Sequence, residues 1–485
     1  MNVLIVTSEY YPLAKAGGLA DAVTALAQGL AGRGHTVDVV MPKYKMVDTD
    51  AFTRDETPIA VELGPGRFGC AVLSASLQGV GVHLIEHNDL YRRDGIYGPS
   101  PDQSYGDNLL RYALLSRGAL EVALMKGIRP NIIHVYDWSS ALTPVYQRYL
   151  YGDSTDGSAA TVVSIHNLAF QGTVSVPEAQ AILGLSFETV EDGGLMNGDS
   201  VNLLKGAILT ADRVVTVSPT YAREIQQPRY GFGLHTALQI RAPHLRGILN
   251  GIDTDVWNPD TDPFLPARYG VEDMRGKRIC KSRLQDELDL PVSPDTPLIG
   301  MVTRLTTQKG IDELFDREYG VAERLLQELP LQWVVLGTGE RWCEDRIREL
   351  SQRYENFAGL TMYSDALAHQ IEGGADFFLM PSRYEPCGLN QMYSMRYGTI
   401  PIVTRTGGLA DTVDSTTGFH IEAHTPDAIF AAVAHAVDQY RTNGDEIREM
   451  QKTAMSRDFS LYHAAAEYEA LYDELLSVPV DRSDA

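Results

Sequence analysis

The sequence predicts an α/β protein made of two doubly wound domains, because short apolar strands alternate with amphipathic helices and the alternation starts afresh in the second half. The first helix illustrates the period, since Leu19, Val23, Leu26 and Leu30 are spaced for one helical face. In the first half, β-branched runs end in polar or glycine-rich turns. These predicted strands are Val3–Thr7, Thr36–Met41, Ile132–Tyr136, Thr161–Ile165 and Val214–Val217.

The second series of strands follows an irregular connector. Residues Asn250–Pro259 and Asp260–Pro266 carry Asn-Gly, Asp and Pro, which favour turns, so we expect the domain boundary near Gly251. The predicted strands beyond it are Leu298–Val302, Trp333–Leu336, Phe377–Met380, Ile400–Val403 and Phe419–Ile421. Strands joined by helices in this way form parallel sheets with helices on both faces.

Charge and composition exclude several classes of function. The chain has 485 residues, and its 41 Lys and Arg against 64 Asp and Glu give a net charge of −23. Such a charge repels nucleic acid and anionic membrane surfaces, so we expect neither as a partner. An anionic ligand would need a local cluster of cations. The longest apolar helical stretch, Ala428–Val437, is about half of the ~20 residues that span a membrane.

The cysteines and the N-terminus indicate the cytoplasm. The four cysteines lie far apart without a CxxC pair, which argues against a disulfide framework and against a structural zinc site. Met1–Glu9 lacks a basic start and has an early carboxylate, so it predicts a strand and not a signal peptide.

One glycine motif could bind phosphate, and its last five residues recur later in the chain. Lys15-Ala-Gly-Gly-Leu-Ala-Asp21 follows the first strand, where backbone N–H groups and the helix dipole can meet an anion. The alternative is a tight turn whose glycines permit close packing. The same five residues recur as Gly407–Asp411. We therefore expect two similar folds to present matching glycine-opened helix N-termini. The Lys15–Asp21 motif is neither a P-loop nor a GxGxxG fingerprint.

Two cations follow the first strand of the second half. Arg304 leaves this strand and Lys309 is expected to begin the next helix. Ligands of open α/β sheets bind beyond the carboxyl ends of the strands, where a guanidinium and an ammonium could grip one diphosphate. Solvated loop charges are the alternative.

Further polar residues follow other predicted strands. The loop Ser382–Leu389 places the carboxylate of Glu385, which could hold a sugar hydroxyl, beside the backbone donors of Gly388 and Leu389. Asp137 ends one strand of the first half, and His166 with Asn167 ends the next. A histidine at such a strand end is a candidate site residue.

In combination, these motifs resemble those of the bacterial glycogen synthases and plant starch synthases. The motifs are Lys15–Asp21, Arg304–Gly310, Glu385–Leu389 and Arg405–Asp411. The resemblance implies a GT-B fold, which is two Rossmann-like domains around a deep cleft. It places an N-terminal acceptor and catalytic domain at 1–250, a nucleotide-sugar-binding domain at 251–458, and a C-terminal helix that crosses back to the first domain at 459–485.

The resemblance also implies the site residues. Lys15 and the amide of Gly18 are similar to groups that contact the donor diphosphate from the N-terminal domain, as Arg304 and Lys309 are from the C-terminal domain. Six of the implied residues form the catalytic set: Lys15, Asp137, His166, Arg304, Lys309 and Glu385. Substrate contacts are further implied for Asp21, Asn167, Asn250, Tyr363 (on adenine), Cys387, Gly388 and Leu389.

Two positions depart from the commonest pattern of this family. Asn390 stands where Thr is usual, which affects fine placement of the donor. Tyr136 stands where His is usual, which affects acceptor contacts.

The implied activity is transfer of glucose from ADP-glucose to the non-reducing end of an α-1,4-glucan, with retention and without a metal or cofactor. One alternative is a UDP-glucose-using transferase of the same fold. Others are a pyridoxal-dependent phosphorylase, which needs a Schiff-base lysine, and a non-catalytic glucan-binding homologue.

Overall fold

The computed structural model describes residues 1–100, 103–152 and 159–477, and the chain divides into two compact units. Unit 1 comprises Met1–Gly251 with the C-terminal segment that starts at Leu461, and unit 2 comprises Ile252–Ser460. Of the C-terminal segment expected at 459–485, residues 478–485 lie outside the described residues.

Unit 1 contains one large mixed sheet and one small antiparallel sheet. In the large sheet the order is β13-β12-β8-β7-β1-β2-β6-β5-β3, with β4 paired to β5, and the run from β13 to β6 is parallel. The strands are β1 (Asn2–Val6), β2 (Thr36–Pro42), β3 (Thr53–Arg54), β4 (Ile59–Leu63), β5 (Gly66–Leu77), β6 (Val80–Glu86), β7 (Ile132–Tyr136), β8 (Ala160–Ile165), β9 (Thr173–Ser175), β10 (Met196–Asn197), β11 (Ser200–Asn202), β12 (Arg213–Thr216) and β13 (Leu245–Gly247). The five predicted strands are confirmed within one residue at each end.

In unit 1, the strands that the sequence did not predict are β3–β6, β9–β11 and β13. They form both edges of the large sheet and the whole of the small sheet, whose order is β10-β11-β9. The edge strands β3, β4 and β5 pair antiparallel, and several of their residues are exposed. Such half-exposed strands lack the continuous apolar run of a buried parallel strand.

The helices of unit 1 surround this sheet. They are α1 (Gly18–Gly32), α2 (Asn88–Tyr91), α3 (Asn108–Lys126), α4 (Asp137–Ser140), α5 (Leu142–Leu150), α6 (Val176–Ile182), α7 (Phe187–Asp192), α8 (Leu203–Thr210), α9 (Pro219–Glu224), α10 (His235–Ile240) and α20 (Leu461–Ser477). The predicted apolar face of α1 is buried. Helix α20 packs on α1 so closely that a Cβ at Gly29 would lie 2.7 Å from the Cβ of Ala465.

Unit 2 is a parallel sheet of order β16-β15-β14-β17-β18-β19 with helices on both faces. Its strands are β14 (Leu298–Val302), β15 (Gln332–Leu336), β16 (Phe357–Leu360), β17 (Phe377–Met380), β18 (Ile400–Thr404) and β19 (Phe419–Ile421). Its helices are α11 (Arg275–Glu287), α12 (Ile311–Phe315), α13 (Ala322–Glu328), α14 (Arg341–Arg353), α15 (Asp365–Gly374), α16 (Asn390–Arg396), α17 (Gly407–Thr412), α18 (Pro426–Thr442) and α19 (Gly444–Met455). All five strands predicted for the second half are confirmed.

The strand order sets where each unit can bind a ligand. In unit 1 the order reverses between β1 and β7, and in unit 2 it reverses between β14 and β17. Open parallel sheets bind ligands at the carboxyl ends of strands beside such a switch point. The predicted site residues follow these strands and their neighbours, so the topology gathers them at one sheet edge in each unit.

Two local findings complete the fold. Lys309 does not begin a helix as expected: it lies in a 3-10 turn, Thr307–Lys309, and α12 begins at Ile311. Gly310 separates the two at φ 79°, a left-handed conformation that glycine adopts without strain. In the described ranges, no helix is long and apolar enough to cross a membrane.

Candidate functional site

In unit 1, the loop between β1 and α1 is held by a buried carboxylate. Glu9 Oε2 accepts hydrogen bonds from the backbone N–H groups of Ala16, at 2.6 Å, and Gly17, at 3.1 Å. Its Oε1 accepts one from the Tyr97 hydroxyl at 2.7 Å. Burial raises the pKa of Glu9, although these hydrogen bonds oppose the shift. The loop is thereby fixed at its glycines, with Gly18 exposed at the start of α1.

Lys15, the cation of this loop, forms an ion pair with Asp21 in the first turn of α1. Lys15 Nζ lies 2.9 Å from Asp21 Oδ2 and 5.5 Å from the centre of the Tyr11 ring. The Lys15 side chain keeps 38% of its surface exposed, so an anionic ligand could reach it. The structure therefore brings Lys15 and Asp21 together beside the exposed Gly18.

A second group forms at the ends of β7 and β8. Asp137 Oδ1 accepts hydrogen bonds from the backbone N–H of His166 at 2.8 Å and of Asn167 at 3.4 Å. Burial raises the pKa of Asp137 to about 7, with the nearby Glu9 carboxylate adding to the shift. Burial lowers the pKa of His166 to about 4, so its ring is neutral near pH 7. Asp137 also has φ 51°, a strained backbone of the kind that clusters at functional sites.

Two further unit 1 residues, Asn250 and Tyr136, lie close to His166. Asn250, Tyr136 and His166 line one small cavity with residues of α1 and α20. Tyr136 is buried, and its ring stacks on that of His134 at 4.4 Å. His134 in turn contacts the Tyr472 hydroxyl of α20 at 2.7 Å, which ties this helix to the sheet.

In unit 2, the two predicted cations follow β14 but differ in environment. Arg304 is exposed. Lys309 is largely buried, and its Nζ forms an ion pair of 2.5 Å with Glu385 Oε2. The backbone N–H of Thr307, in the same turn as Lys309, donates to Glu340 Oε1 at 3.2 Å. The turn is therefore held in place from the end of β15.

Glu385 is the carboxylate at the end of β17, and it is 5% exposed. Besides Lys309, it accepts a hydrogen bond from the Ser382 hydroxyl at 2.9 Å. Carboxylates are buried at low cost only when paired in this way. The pair joins the loops after β14 and β17, on either side of the switch point.

The second glycine motif packs against the Glu385 loop. A Cβ at Gly407 would lie 1.9 Å from the Glu385 carbonyl oxygen, and a Cβ at Gly408 would lie 2.0 Å from that of Cys387. The Gly408 N–H donates to the Glu385 carbonyl at 3.0 Å. Both motifs begin helices at their glycines, as expected, but the N-terminus of α17 is packed against the loop beside it, whereas Gly18 at the start of α1 is exposed.

The end of the Glu385 loop is fixed by polar side chains of α16. Gln391 Nε2 donates to the carbonyls of Cys387 and Gly388 at 3.1 and 3.0 Å. Asn390, the departure from the family pattern, donates to the Val302 carbonyl at 2.6 Å, so its amide ties the start of α16 to the end of β14. Cys387 is buried, and Leu389 directly precedes α16.

Tyr363 follows β16, two strands away from β14. Its side chain is 74% exposed and its hydroxyl donates to Asp365 at 2.7 Å. An exposed ring at this sheet edge can stack on a planar ligand group.

The comparisons with known proteins cover both units. The starch synthase catalytic domain family matches residues 2–240, and the family named glycosyl transferases group 1 matches residues 285–455. A glycogen synthase of Treponema denticola is 41% identical, with 98% of this chain and 99% of that protein covered. The chain belongs to the glycogen synthase and starch synthase family. Another member, from Anaeromyxobacter sp. (strain Fw109-5), is 43% identical over 98% of this chain and 99% of that protein.

Solved structures agree with this family membership. The catalytic domain of starch synthase IV from Arabidopsis thaliana, bound to ADP and acarbose, matches with a TM-score of 0.89 and 32% identity over 98% of this chain and 99% of that one. A sucrose-phosphate synthase from Thermosynechococcus elongatus, at 18% identity and a TM-score of 0.60, shares the fold. The predicted GT-B class, with two Rossmann-like domains, is confirmed.

Sequence reasoning missed the side chains that hold the candidates in place, chiefly Glu9, Tyr97 and Glu340. Glu9 had a local signal, since a polar residue shortly after a buried strand lies at the ligand edge of the sheet. The other two act through contacts between separate elements of one unit, which no local pattern reveals.

Proposed function

We propose that this family member transfers glucose from ADP-glucose to the non-reducing 4-hydroxyl of an α-1,4-glucan, with retention at the anomeric carbon. The observation that carries the proposal is the Lys309–Glu385 pair, which joins the loops after the two strands that flank the unit 2 switch point, with the exposed Arg304 in the first of these loops. The relatives named glycogen synthase, and the starch synthase structure bound to ADP and acarbose, support this choice of donor and acceptor.

In the proposed reaction, unit 2 binds the donor. Arg304 and Lys309 neutralise the diphosphate, and Tyr363 stacks on the adenine. Glu385 accepts hydrogen bonds from glucosyl hydroxyls while it remains paired with Lys309. These cations stabilise the negative charge that develops on the leaving diphosphate, and because they are already in place, they need not move during the reaction. Such electrostatic stabilisation is commonly the largest contribution to catalysis.

We assign the unit 1 residues to the sugar and the acceptor. The neutral His166 ring and the Asp137 carboxyl suit a centre that becomes positive, because an imidazolium would repel it. Lys15 and the amide of Gly18 add positive potential for the diphosphate, as anions favour a helix N-terminus. Asp21, Asn167 and Asn250 are assigned to hydroxyl contacts.

The bond changes follow from these roles. The bond between C1 of glucose and the diphosphate oxygen breaks, and ADP keeps the electron pair. The 4-hydroxyl oxygen of the acceptor forms the new bond to C1 on the same face, and its proton passes to the departing phosphate. Glu385 is engaged by Lys309 and Ser382, so we assign no carboxylate as a covalent nucleophile. We propose that the reaction needs no metal or cofactor, and that it takes place in the cytoplasm.

Incorporation of labelled glucose into glycogen tests the proposal. The purified full chain is given ADP-glucose, UDP-glucose or glucose 1-phosphate at equal concentration, with EDTA present. We expect transfer from ADP-glucose, at least tenfold faster than from UDP-glucose. Faster transfer from UDP-glucose would contradict the choice of donor, and transfer from glucose 1-phosphate alone would indicate a phosphorylase.

Three further tests address the catalytic role of Glu385 and the remaining alternatives. Glu385→Gln keeps the shape of the side chain and removes its charge, so it should lose most of the activity. Glucan binding without transfer from any donor would identify a non-catalytic glucan-binding protein. Activity that EDTA abolishes and Mg²⁺ restores would contradict the metal-free mechanism.

A further inference from the structure

A carboxylate after β15 contacts both the turn that carries Lys309 and a half-exposed tryptophan. Glu340 directly precedes α14. Its Oε1 accepts hydrogen bonds from the backbone N–H of Thr307 at 3.2 Å and from the Thr307 hydroxyl at 3.4 Å. Its Oε2 accepts one from the indole Nε1–H of Trp342 at 2.7 Å. The Glu340 side chain therefore joins the turn before α12 to the first turn of α14.

The backbone N–H and the indole N–H that face Glu340 can only donate a hydrogen bond. The two oxygens of a carboxylate can accept from both groups at once. An amide of the same shape has a single acceptor oxygen, so its NH2 group would point at one of the two N–H groups. Two donors that face each other both lose a hydrogen bond, which costs free energy. The two contacts thus favour a carboxylate at position 340 over an amide.

Backbone contacts bring the loops after β14 and β15 together. The Glu340 N–H donates to the Leu305 carbonyl at 2.8 Å, and the Leu305 N–H donates to the Thr338 carbonyl at 2.8 Å. A Cβ at Gly339 would lie 2.1 Å from the same Leu305 oxygen, so this approach requires glycine. These contacts reach Leu305, and the Glu340 side chain extends them to Thr307, in the same turn as Lys309.

The loop after β17 holds the same turn from its other side. The Arg383 N–H donates to the Gln308 carbonyl at 2.9 Å, and Gln308 Nε2 donates to the Tyr384 carbonyl at 3.3 Å. Strand β14 lies between β15 and β17 in the sheet, so the turn that follows β14 lies between their loops. Glu340 fixes this turn on the β15 side.

We propose that Glu340 is a positioning residue for Lys309 and that Trp342 orients its carboxylate. By accepting the Thr307 N–H, Glu340 keeps the turn in the conformation in which the Lys309 ammonium meets Glu385. Without it, the ammonium is less well placed for the charge that develops on the leaving group, so kcat should fall. The kinetic part of this inference rests on the proposed function, whereas the hydrogen bond to Thr307 can be measured without it.

The first test is hydrogen exchange of the full chain without substrate, followed by mass spectrometry on overlapping peptides that cover residues 303–310. We expect the Thr307 N–H to exchange about tenfold faster in Glu340→Gln than in wild type, because it loses a charged acceptor. Unchanged exchange at Thr307 would overturn the proposal, even if the protein transfers glucose from no donor.

The second test combines two substitutions and compares kcat for transfer from ADP-glucose. Trp342→Phe removes one donor, so in its background the amide of Glu340→Gln can turn its oxygen to Thr307. We expect kcat to fall about tenfold in Glu340→Gln and about twofold in Trp342→Phe. The double variant should lose only about twofold, since the two sites interact. Losses that multiply in the double variant would overturn the proposal.

The separate values of kcat and KM distinguish positioning from a direct contact with the donor. A residue that binds the donor equally in the ground and transition states changes KM and leaves kcat unaltered. For Glu340→Gln we expect KM for ADP-glucose to change less than about threefold while kcat falls. A rise in KM alone, of the same size with and without Trp342, would place Glu340 on the donor and overturn the positioning role.

Glu344→Gln is the matched control. Glu344 lies on α14 and also faces two donors, the Gly339 N–H at 3.0 Å and the Arg348 guanidinium at 2.9 Å, but neither belongs to the Lys309 turn. This variant should keep kcat within about twofold of wild type. A loss equal to that of Glu340→Gln would mean that α14 is loosened as a whole, which would contradict the proposal.

The double variant also covers the case in which Glu340→Gln does not fold. Trp342→Phe with Glu340→Gln removes the clash between donors, so this variant should fold, protect the Thr307 N–H and remain active. Its failure to fold, or a loss of protection at Thr307 equal to that expected for Glu340→Gln alone, would overturn the proposal.

Discussion

The two copies of Gly-Gly-Leu-Ala-Asp begin helices in both units, yet their glycines do different things. A Cβ at Gly17 would meet no atom within 4 Å. Gly407 and Gly408, in contrast, lie against backbone oxygens of the Glu385 loop, and Gly407 has φ 45°. The first motif therefore leaves open space for a ligand, while the second uses its glycines for packing.

The buried carboxylates of the two units also differ, in whether a cation is paired with them. Among the described residues of unit 1, no cation pairs with Glu9 or Asp137, and burial raises the pKa of both carboxyl groups. In unit 2, Glu385 is compensated by Lys309. Identical local sequence thus carries different functions, because the neighbouring loop decides whether a glycine is exposed to ligand or to protein.

The largest expected effect is a difference in kcat between substitutions of Lys309 and Lys15. Lys309→Ala should lower kcat by on the order of 10²–10³, because Lys309 meets charge that develops in the transition state. Lys15→Ala should lower it only about tenfold, since Lys15 is partly exposed and screened by Asp21. Steady-state kinetics check both. Equal effects of the two substitutions would break the comparison.

The glycines should differ in their effect on stability. Gly408→Ala forces a Cβ against a backbone oxygen and should cost about 3 kcal/mol of unfolding free energy. Gly17→Ala is its control and should change this free energy by less than about 0.5 kcal/mol. Urea unfolding followed by tryptophan fluorescence reports mainly unit 2, which holds Trp257, Trp333 and Trp342. A wild-type midpoint for Gly408→Ala would show that the loop is not packed as described.

The raised pKa of Asp137 predicts a pH-dependent effect. Its pKa is about 7 in the folded chain against an ordinary 3.8, so the folded state binds this proton more tightly. Stability from this group is present below about pH 4 and is lost as the pH rises to 7. Asp137→Asn removes that loss and tolerates a positive φ. Its melting temperature relative to wild type should therefore be higher at pH 8 than at pH 5. If the difference in melting temperature between Asp137→Asn and wild type is the same at pH 5 and pH 8, the raised pKa of Asp137 is refuted.

The smallest effect is expected at Asn390. Asn390→Thr restores the residue usual in the family, but its shorter side chain gives up the hydrogen bond to the Val302 carbonyl. We expect a loss of about 1 kcal/mol in the unfolding free energy of unit 2. Asn390→Ala is the control and should cost at least as much. A more stable Asn390→Thr would show that the hydrogen bond is not needed.

The sequence predicted the parts of the molecule that depend on local pattern. The parallel core strands are apolar runs, and the polar residues that follow them mark the ligand edges, so Asp137, His166, Lys309 and Glu385 could be named in advance. The contact between Glu340 and the turn that carries Lys309 could not, because it joins two separate segments of unit 2. The packing of Gly407 was likewise hidden, since the same residues at Gly17 lie in open space.

The affinity for ADP in EDTA, measured by calorimetry, tests most directly whether the unit 2 cations hold the donor diphosphate. We predict that wild type binds ADP without a divalent ion. Lys309→Ala should weaken binding at least tenfold, and Lys15→Ala about threefold. Unchanged affinity in Lys309→Ala, or binding that requires Mg²⁺, would contradict the account.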